Sequence, residues 1–276
     1  MPHRPFALIA ILCVALALPP IDAAAQSFEP KVGQPGKDVI WVPTPDALVA
    51  RMLDMAKATP QDYLVDLGSG DGRTVIAAAK RGIKALGIEY NADMVEVSKR
   101  NAEAAGVADR VKFIQGDIFT TDFSQATVVT MYLLSSLNLK LRPTLLNMKP
   151  GTRIVSHAFT MGDWSPDETA SVEGYSAYLW IIPAKVQGRW QINAPGGPFE
   201  LVLDQAYQKL TGKVSGARLS PNLGDPRLHG SSIGFTLVDT SGQFLRFKGT
   251  VNGDSMEGTV QAHDKPEARW TGHRSS

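Results

Sequence analysis

The sequence predicts an α/β protein: a doubly wound, mainly parallel sheet followed by a second, smaller all-β domain. Three observations carry this expectation. An apolar run, Tyr63-Leu64-Val65-Asp66-Leu67, passes into three alternating glycines, Gly68, Gly70 and Gly72, and then directly into a helix-forming stretch ending at Lys80. That pattern is a buried strand, a tight turn and a helix start. Apolar runs then alternate with helical periodicity as far as residue 159, which points to crossover connections and parallel strands. From about Gly188 the long helices give way to short alternating runs separated by glycine and asparagine turns, the pattern of antiparallel strands.

The chain has 276 residues, 43% of them hydrophobic, and a formal charge of +1. It is long enough to bury one large core or two unequal ones. So small a net charge predicts no electrostatic hold on nucleic acid or an anionic membrane. Residues 1–25 read as a secretory signal peptide: a weakly basic start at Arg4, an apolar run from Phe6 to Leu18 too short to span a bilayer, and Ala23-Ala24-Ala25 before Gln26. The expected location is periplasmic or secreted, with no stable membrane anchor after cleavage. Cys13, the one cysteine, lies inside the apolar run behind Leu12, so a lipid-modified cysteine is not expected and the mature chain carries no thiol. Such a chain suits an oxidising compartment without needing disulfides there.

Residues 26–41 are polar and aperiodic and read as an extended lead-in. A domain of residues 42–187 follows. Its first helix is expected to take Thr44 as N-cap, Pro45 as its first residue and Asp46 in its first turn, with Leu48, Val49, Met52, Leu53 and Ala56 on one face. Val42-Pro43-Thr44-Pro45 either stiffens that helix start or walls a ligand pocket. The second strand is Ala85 to Tyr90, and Asn91 caps a helix that carries Met94, Ser98, Ala102 and Ala105 on one face and stops at Gly106. The third strand is Val111 to Gln115, followed by Gly116-Asp117-Ile118. The fourth is Ala126 to Leu133. A helical stretch containing Pro143 runs to Met148, the fifth strand is Arg153 to Phe159, and a last strand covers Leu179 to Pro183.

Ligands of such sheets bind outside the carboxyl ends of the strands. Asp66, the glycine turn, Glu89 and Asp117 all fall there. The glycine turn lets a ligand lie on bare backbone, with the N–H groups that open the helix facing it. The spacing is Asp-x-Gly-x-Gly-x-Gly, and Arg73 stands where a dinucleotide fingerprint needs a small residue. Asp71 inside the turn would repel a pyrophosphate and attract a cationic or zwitterionic ligand, which favours S-adenosylmethionine. Asp66, Gly68, Ser69, Gly70 and Asp71 are then expected to hold its methionine part. Glu89, 19 residues past Gly70 and beside Tyr90, would accept both ribose hydroxyls. Asp117 would accept the adenine amino group, with Ile118 against the base.

These motifs, with Gly87-Ile88-Glu89-Tyr90, Gly116-Asp117-Ile118 and Lys149-Pro150-Gly151, resemble those of class I S-adenosylmethionine-dependent methyltransferases, whose sheet is Rossmann-like. Val42-Pro43-Thr44-Pro45, Asp71-Gly72-Arg73, Tyr132-Leu133-Leu134 and Trp164-Ser165-Pro166 are most similar to the small mitochondrial protein-lysine methyltransferases. The resemblance covers about residues 40 to 183, and an export signal and a C-terminal extension depart from it. It implies methyl transfer to an acceptor nucleophile, with a protein lysine amine as the leading partner. A small or lipid-like acceptor is one alternative, and a non-catalytic nucleoside-binding envelope module is another. Tyr132, at the end of the fourth strand, is where many enzymes of this fold place an acceptor-binding residue; its other reading is a core tyrosine. The chain has no Ser/His/Asp set, no His/Cys metal cluster and no Asn/Asp-Pro-Pro-Tyr signature, so neither a metal nor a nucleic-acid substrate is expected. Met161 to Pro166 either lids the acceptor side or, as the favoured reading of Trp164, packs against the sheet. His157 reads as a core histidine.

Residues 188–276 are expected to form a small antiparallel meander or open barrel. Its strands are Phe199 to Leu203, Ser232 to Leu237, Phe244 to Phe247 and Ser255 to Val260, with Val251-Asn252-Gly253-Asp254 as a hairpin turn. Gly188-Arg189-Trp190 is similar to the opening of lipocalin-like barrels.

Overall fold

The structure, a computed structural model, describes residues 28–216, 218–262 and 265–275. The expected signal peptide lies outside them. The first sheet contains β1 (Tyr63–Leu67), β2 (Lys84–Glu89), β3 (Val111–Gln115), β4 (Val128–Met131), β5 (Arg153–His157), β6 (Glu168–Val172) and β7 (Tyr175–Ile181), in the order β3-β2-β1-β4-β5-β7-β6. Strands β1 to β5 are parallel, and β7 runs antiparallel to both its neighbours. The chain changes direction across the sheet between β1 and β4, which opens a crevice outside their carboxyl ends.

Helices α1 (Asp46–Met55), α2 (Arg73–Lys80), α3 (Ala92–Ala104) and α4 (Ser135–Leu145) cover the sheet. Successive strand side chains point to opposite faces, so β1 serves two cores. Leu64 packs with Leu48, Val49 and Met52 of α1 and with Val75 and Ala78 of α2. Val65 and Leu67 pack with Leu141 and Leu145 of α4. Asn91 caps α3 as expected, its side-chain oxygen accepting from Asp93 N at 2.8 Å.

Several local expectations are corrected. Pro45, not Thr44, takes the N-cap position of α1, and no side chain caps that end; the Thr44 hydroxyl instead meets Nδ1 of His157 at 3.0 Å. The lead-in is not extended: residues 33–41 fold back as a short hairpin, with Gly33 N bonded to Trp41 O and Trp41 N to Gln34 O, each at 2.9 Å. The sequence pattern marks only residues 179–183 as strand at the sheet's far edge. The observed β6 and β7 form a full hairpin there, turning through Glu173 and Gly174 at positive φ.

The second sheet is antiparallel: β8 (Gly188–Ala194), β9 (Gly197–Ala206), β10 (Lys209–Ser215), β11 (Gly224–His229), β12 (Ser232–Val238), β13 (Phe244–Asn252), β14 (Ser255–Ala262) and β15 (Ala268–Arg274). Its order is β10-β9-β8-β15-β14-β13-β12-β11, so the first and last strands pair in the middle. Its two ends meet through Val214 N to Pro221 O at 3.0 Å. The result is an up-and-down barrel of eight strands filled by its own side chains, Trp190, Leu201, Leu203, Phe235, Phe247 and Trp270 among them. The Arg274 guanidinium lies 4.4 Å over the Trp190 ring.

The loop 161–166 joins the two sheets rather than lidding a pocket. Trp164 is fully buried, stacks on Tyr207 at 5.5 Å and donates from Nε1 to Gln208 Oε1 at 2.9 Å. The reading of Trp164 as a packing residue is therefore right, but Tyr207 and Gln208, two of its partners, come from the β9–β10 turn of the second sheet.

Candidate active site

The crevice at the β1/β4 switch holds a cavity of about 520 Å³. Asp66, Gly68, Ser69, Gly70, Asp71, Glu89, Tyr90, Asp117, Ile118 and Tyr132 all line it. β1, β2 and the loops after β3 and β4 deliver them, because each sits at or just past a strand's carboxyl end.

Several N–H groups of the glycine turn are bonded within the protein. Gly68 N and Ser69 N both bond to Ile88 O at 2.9 and 3.1 Å, and Gly72 N bonds to Ser69 O at 2.9 Å. Gly70 N donates to Glu89 Oε2 at 2.9 Å. With these four donors spent internally, the turn makes a poor phosphate cradle. Gly70, at φ 55°, could carry no side chain, since a Cβ there would lie 2.6 Å from Trp41 Nε1.

The carboxylates set the electrostatics. Asp66 is buried and accepts from Thr130 Oγ1 at 2.7 Å. Burial raises its pKa to about 7, and the charges of Glu89 and Asp71 push the same way. A cation in the cavity would reverse that cost. Glu89 spans the turn and α3, its second oxygen accepting from Asn91 N at 2.9 Å; each oxygen keeps a lone pair for another donor. Asp71 is not a free acid, contrary to expectation, because Arg73 clamps it with Nη2 to Oδ2 at 2.6 Å and Nε to Oδ1 at 3.0 Å. Asp117 is also engaged: Lys37 Nζ lies 2.7 Å from Oδ2, and that contact holds its pKa below the usual carboxylate range, helped by Phe119 N.

Sequence reasoning missed two parts of the wall. The hairpin residues from Gln34 to Trp41 close one side of the cavity, continuing the wall that Val42, Pro43 and Thr44 make as one reading of the sequence expected, and Arg73 lines it as well. On the other side Leu133, Leu134, Leu137 and Phe159 form an apolar wall beside Tyr132. The Tyr132 phenol pKa is raised by burial and by neighbouring Tyr175.

The donor set fits S-adenosylmethionine. A turn with most of its N–H groups engaged and a rim of acids suits a ligand bearing a sulfonium and an ammonium, and a nucleoside can pair with the acids at the ends of β2 and β3. Fold and site define the class: this is an S-adenosylmethionine-dependent methyltransferase.

Comparison with known proteins carries the assignment further. The ANTKMT methyltransferase domain matches residues 66–168. A protein-lysine N-methyltransferase of Saccharolobus islandicus is 44% identical over 151 residues, covering 52% of this chain and 94% of its own length. The adenine nucleotide translocase lysine N-methyltransferase of Mus musculus is 32% identical over 120 residues, which cover 43% of this chain and only 52% of that protein. A crystal structure described as an RNA methyltransferase from Salinibacter ruber, in complex with S-adenosyl-L-homocysteine, is 52% identical with a TM-score of 0.51; the match covers 52% of this chain and 96% of that one. The chain belongs to the methyltransferase family of this Saccharolobus islandicus relative.

Proposed function

We propose that this enzyme methylates the side-chain amine of a protein lysine. S-adenosylmethionine supplies the electrophilic methyl group, so the chain's own task is binding, alignment and exclusion of water. Asp66 and the Gly68 to Asp71 turn hold the methionine end, with Arg73 available to its carboxylate. Glu89 takes the ribose, and Asp117 with Ile118 takes the adenine. The acceptor comes in beside Tyr132, where Phe159, Leu133 and Leu134 make a low-dielectric wall. Such a wall disfavours the ammonium form and so delivers the neutral amine that can attack.

The observation that carries the lysine reading is the relative that this chain covers almost end to end, a protein-lysine N-methyltransferase. The Salinibacter ruber description favours RNA instead. Against RNA stand the small net charge and an acceptor wall that is mostly aliphatic. Residues 1–25 support export, so we propose envelope proteins as the substrate pool.

The test is methyl transfer from labelled cofactor to envelope and cytoplasmic extracts, each treated with protease or ribonuclease. The lysine reading expects label that survives ribonuclease, falls to protease and elutes as methyl-lysine after acid hydrolysis. Label lost to ribonuclease would overturn it, and cofactor binding with no label in either extract would favour a binding module.

A further inference from the structure

One face of the barrel's outer wall carries a row of cations that make no ion pair among the described residues, although the whole chain carries only +1. Strand pairing places Arg227 opposite Gly234, Gly234 opposite Lys248, Lys248 opposite Thr259 and Thr259 opposite Arg269. These residues form one row across β11 to β15 on the face that alternates with the buried Leu228, Ile233, Phe247 and Trp270. Neighbouring strands lie about 4.8 Å apart, so Lys248 stands roughly 10 Å along the sheet from Arg227 on one side and from Arg269 on the other. Arg246, two residues before Lys248 on the same strand and face, adds a fourth. All four are exposed, and among the described residues none of them has an ion-pair partner. On the far side of the barrel Arg189 is paired with Glu200 at 3.1 Å, and at its foot Arg274 is paired with Asp254. Glu257, the acid on β14, lies one row nearer the first sheet, Asp225 sits at the β11 bulge, and Glu267, exposed just before β15, stands two residues from Arg269.

Two further features belong to this face. Gly234 leaves a notch between Arg227 and Lys248: a Cβ there would have only Phe247 O, at 3.5 Å, within 4 Å. A phosphate ester could settle on the bare strand with a cation on each side. Next to Arg246 along β13, Phe244 is 61% exposed and is paired across the sheet with Val238, an apolar pair at the outer end of the wall. We propose that this face docks on an anionic phospholipid surface, with Arg227, Arg246, Lys248 and Arg269 on the headgroups and Phe244 dipping below them.

A bilayer is favoured over single-stranded nucleic acid by the shape and the aromatic count. Strand-binding proteins use a groove with several stacking rings, whereas this wall is the convex outside of a barrel with Phe244 as its large exposed ring. Cations near an anionic membrane each add about fivefold to partitioning, and the effect is screened by salt.

The experiment is co-sedimentation of the full chain with vesicles of about one-third phosphatidylglycerol in phosphatidylcholine, beside phosphatidylcholine alone. The quantity read is the excess binding to the anionic vesicles, since the apolar run of residues 6–18 is common to every variant. The triple variant Arg227→Gln, Arg246→Gln, Lys248→Gln should lose that excess by about a hundredfold, and high salt should abolish it in the unaltered chain. Phe244→Ser should weaken binding severalfold in a way salt does not mimic. S-adenosylhomocysteine affinity, unchanged in each variant, confirms folding. An anionic excess that is absent, or that persists in the triple variant, overturns the proposal. So does tighter binding to a single-stranded oligonucleotide than to the vesicles.

Discussion

The Tyr132 ring lies flat against the His157 imidazole, with ring centres 3.7 Å apart and planes 28° from parallel. His157 is buried, and burial lowers its pKa to about 4, so the stack is made with neutral imidazole at ordinary pH. Its Nδ1 meets the Thr44 hydroxyl at 3.0 Å, and Thr44 itself lines the cavity. His157 therefore ties the segment before α1 to the Tyr132 side of the cavity, acting as a positioning residue. His157→Phe keeps a ring under Tyr132 and loses the bond to Thr44, whereas His157→Asn keeps a polar partner and loses the ring. Steady-state kinetics should show kcat falling about tenfold in His157→Asn and less in His157→Phe, with cofactor affinity little changed in both. Equal losses in the two variants would mean that the stack is only packing.

Glu89 offers a second check, because its carboxylate holds the N–H groups of both Gly70 and Asn91 at 2.9 Å. Glu89→Ala removes two charge-assisted bonds at once and frees the turn on which the cofactor would rest. Calorimetry with S-adenosylmethionine should show affinity lost by about a hundredfold or more. Glu89→Gln, which can accept only one of the two bonds, should fall between.

Asp66, Glu89 and Asp117 were legible as one rim because buried parallel strands show up as near-continuous apolar runs and the acids punctuate their ends. The strength of Asp71 and Asp117 as free charges was not legible. Their partners, Arg73 and Lys37, are a side chain folding back two residues and one arriving from 80 residues away, and neither leaves a periodic trace. β6 escaped for the opposite reason: an edge strand reading Glu-Thr-Ala-Ser-Val, with no fully buried residue, offers only Ala170 and Val172 as an apolar alternation, too short to stand out. β10 and β11 bury only Leu210, Val214 and Leu228, too few for a pattern. The lead-in hairpin did carry a signal, since Pro35-Gly36-Lys37-Asp38 has turn chemistry between Val32 and Val39-Ile40-Trp41.

That hairpin supplies a third prediction. Lys37 bonds Asp117 at 2.7 Å and lies 4.8 Å over the Tyr90 ring, so one side chain latches the hairpin across the Asp117 end of the cavity. Lys37→Ala should raise the dissociation rate of S-adenosylhomocysteine severalfold in stopped-flow measurements while leaving the site's other contacts intact. Unchanged dissociation would show that Trp41 alone, packed on Gly70, keeps the hairpin closed.

The contact between the sheets should behave as a structural joint. Trp164 is fully buried between Tyr207 at 5.5 Å and Trp180 at 6.1 Å. Trp164→Ala should cost about 3–5 kcal/mol in urea denaturation and leave methyl transfer by the folded fraction near that of the unaltered chain. A selective loss of kcat without loss of stability would restore the lid reading of this loop.

The last prediction concerns pH, where Asp66 and His157 act in opposite senses. Asp66 rises from 3.8 to about 7 on folding, so the folded state holds its proton longer. Its contribution is fully present below pH 3.8 and is lost as pH rises through 7. His157 falls from 6.5 to about 4, so its contribution is present above pH 6.5 and is lost as pH falls through 4. Each changes stability by about 1.4 kcal/mol per pH unit within its window, and between pH 4 and 6.5 the two nearly cancel. Asp66→Asn removes one side of the balance. Relative to the unaltered chain, the variant should gain stability steadily as pH rises from about 4 to 7 and then level off, read by urea denaturation of the cofactor-free protein. A cationic ligand prefers ionised Asp66, so the unaltered chain's affinity for S-adenosylmethionine should climb over the same range, and the variant's should stay flat. A stability difference independent of pH would mean that Asp66 is ionised throughout, and the acid-rimmed cavity would then lose its coupling to the ligand's charge.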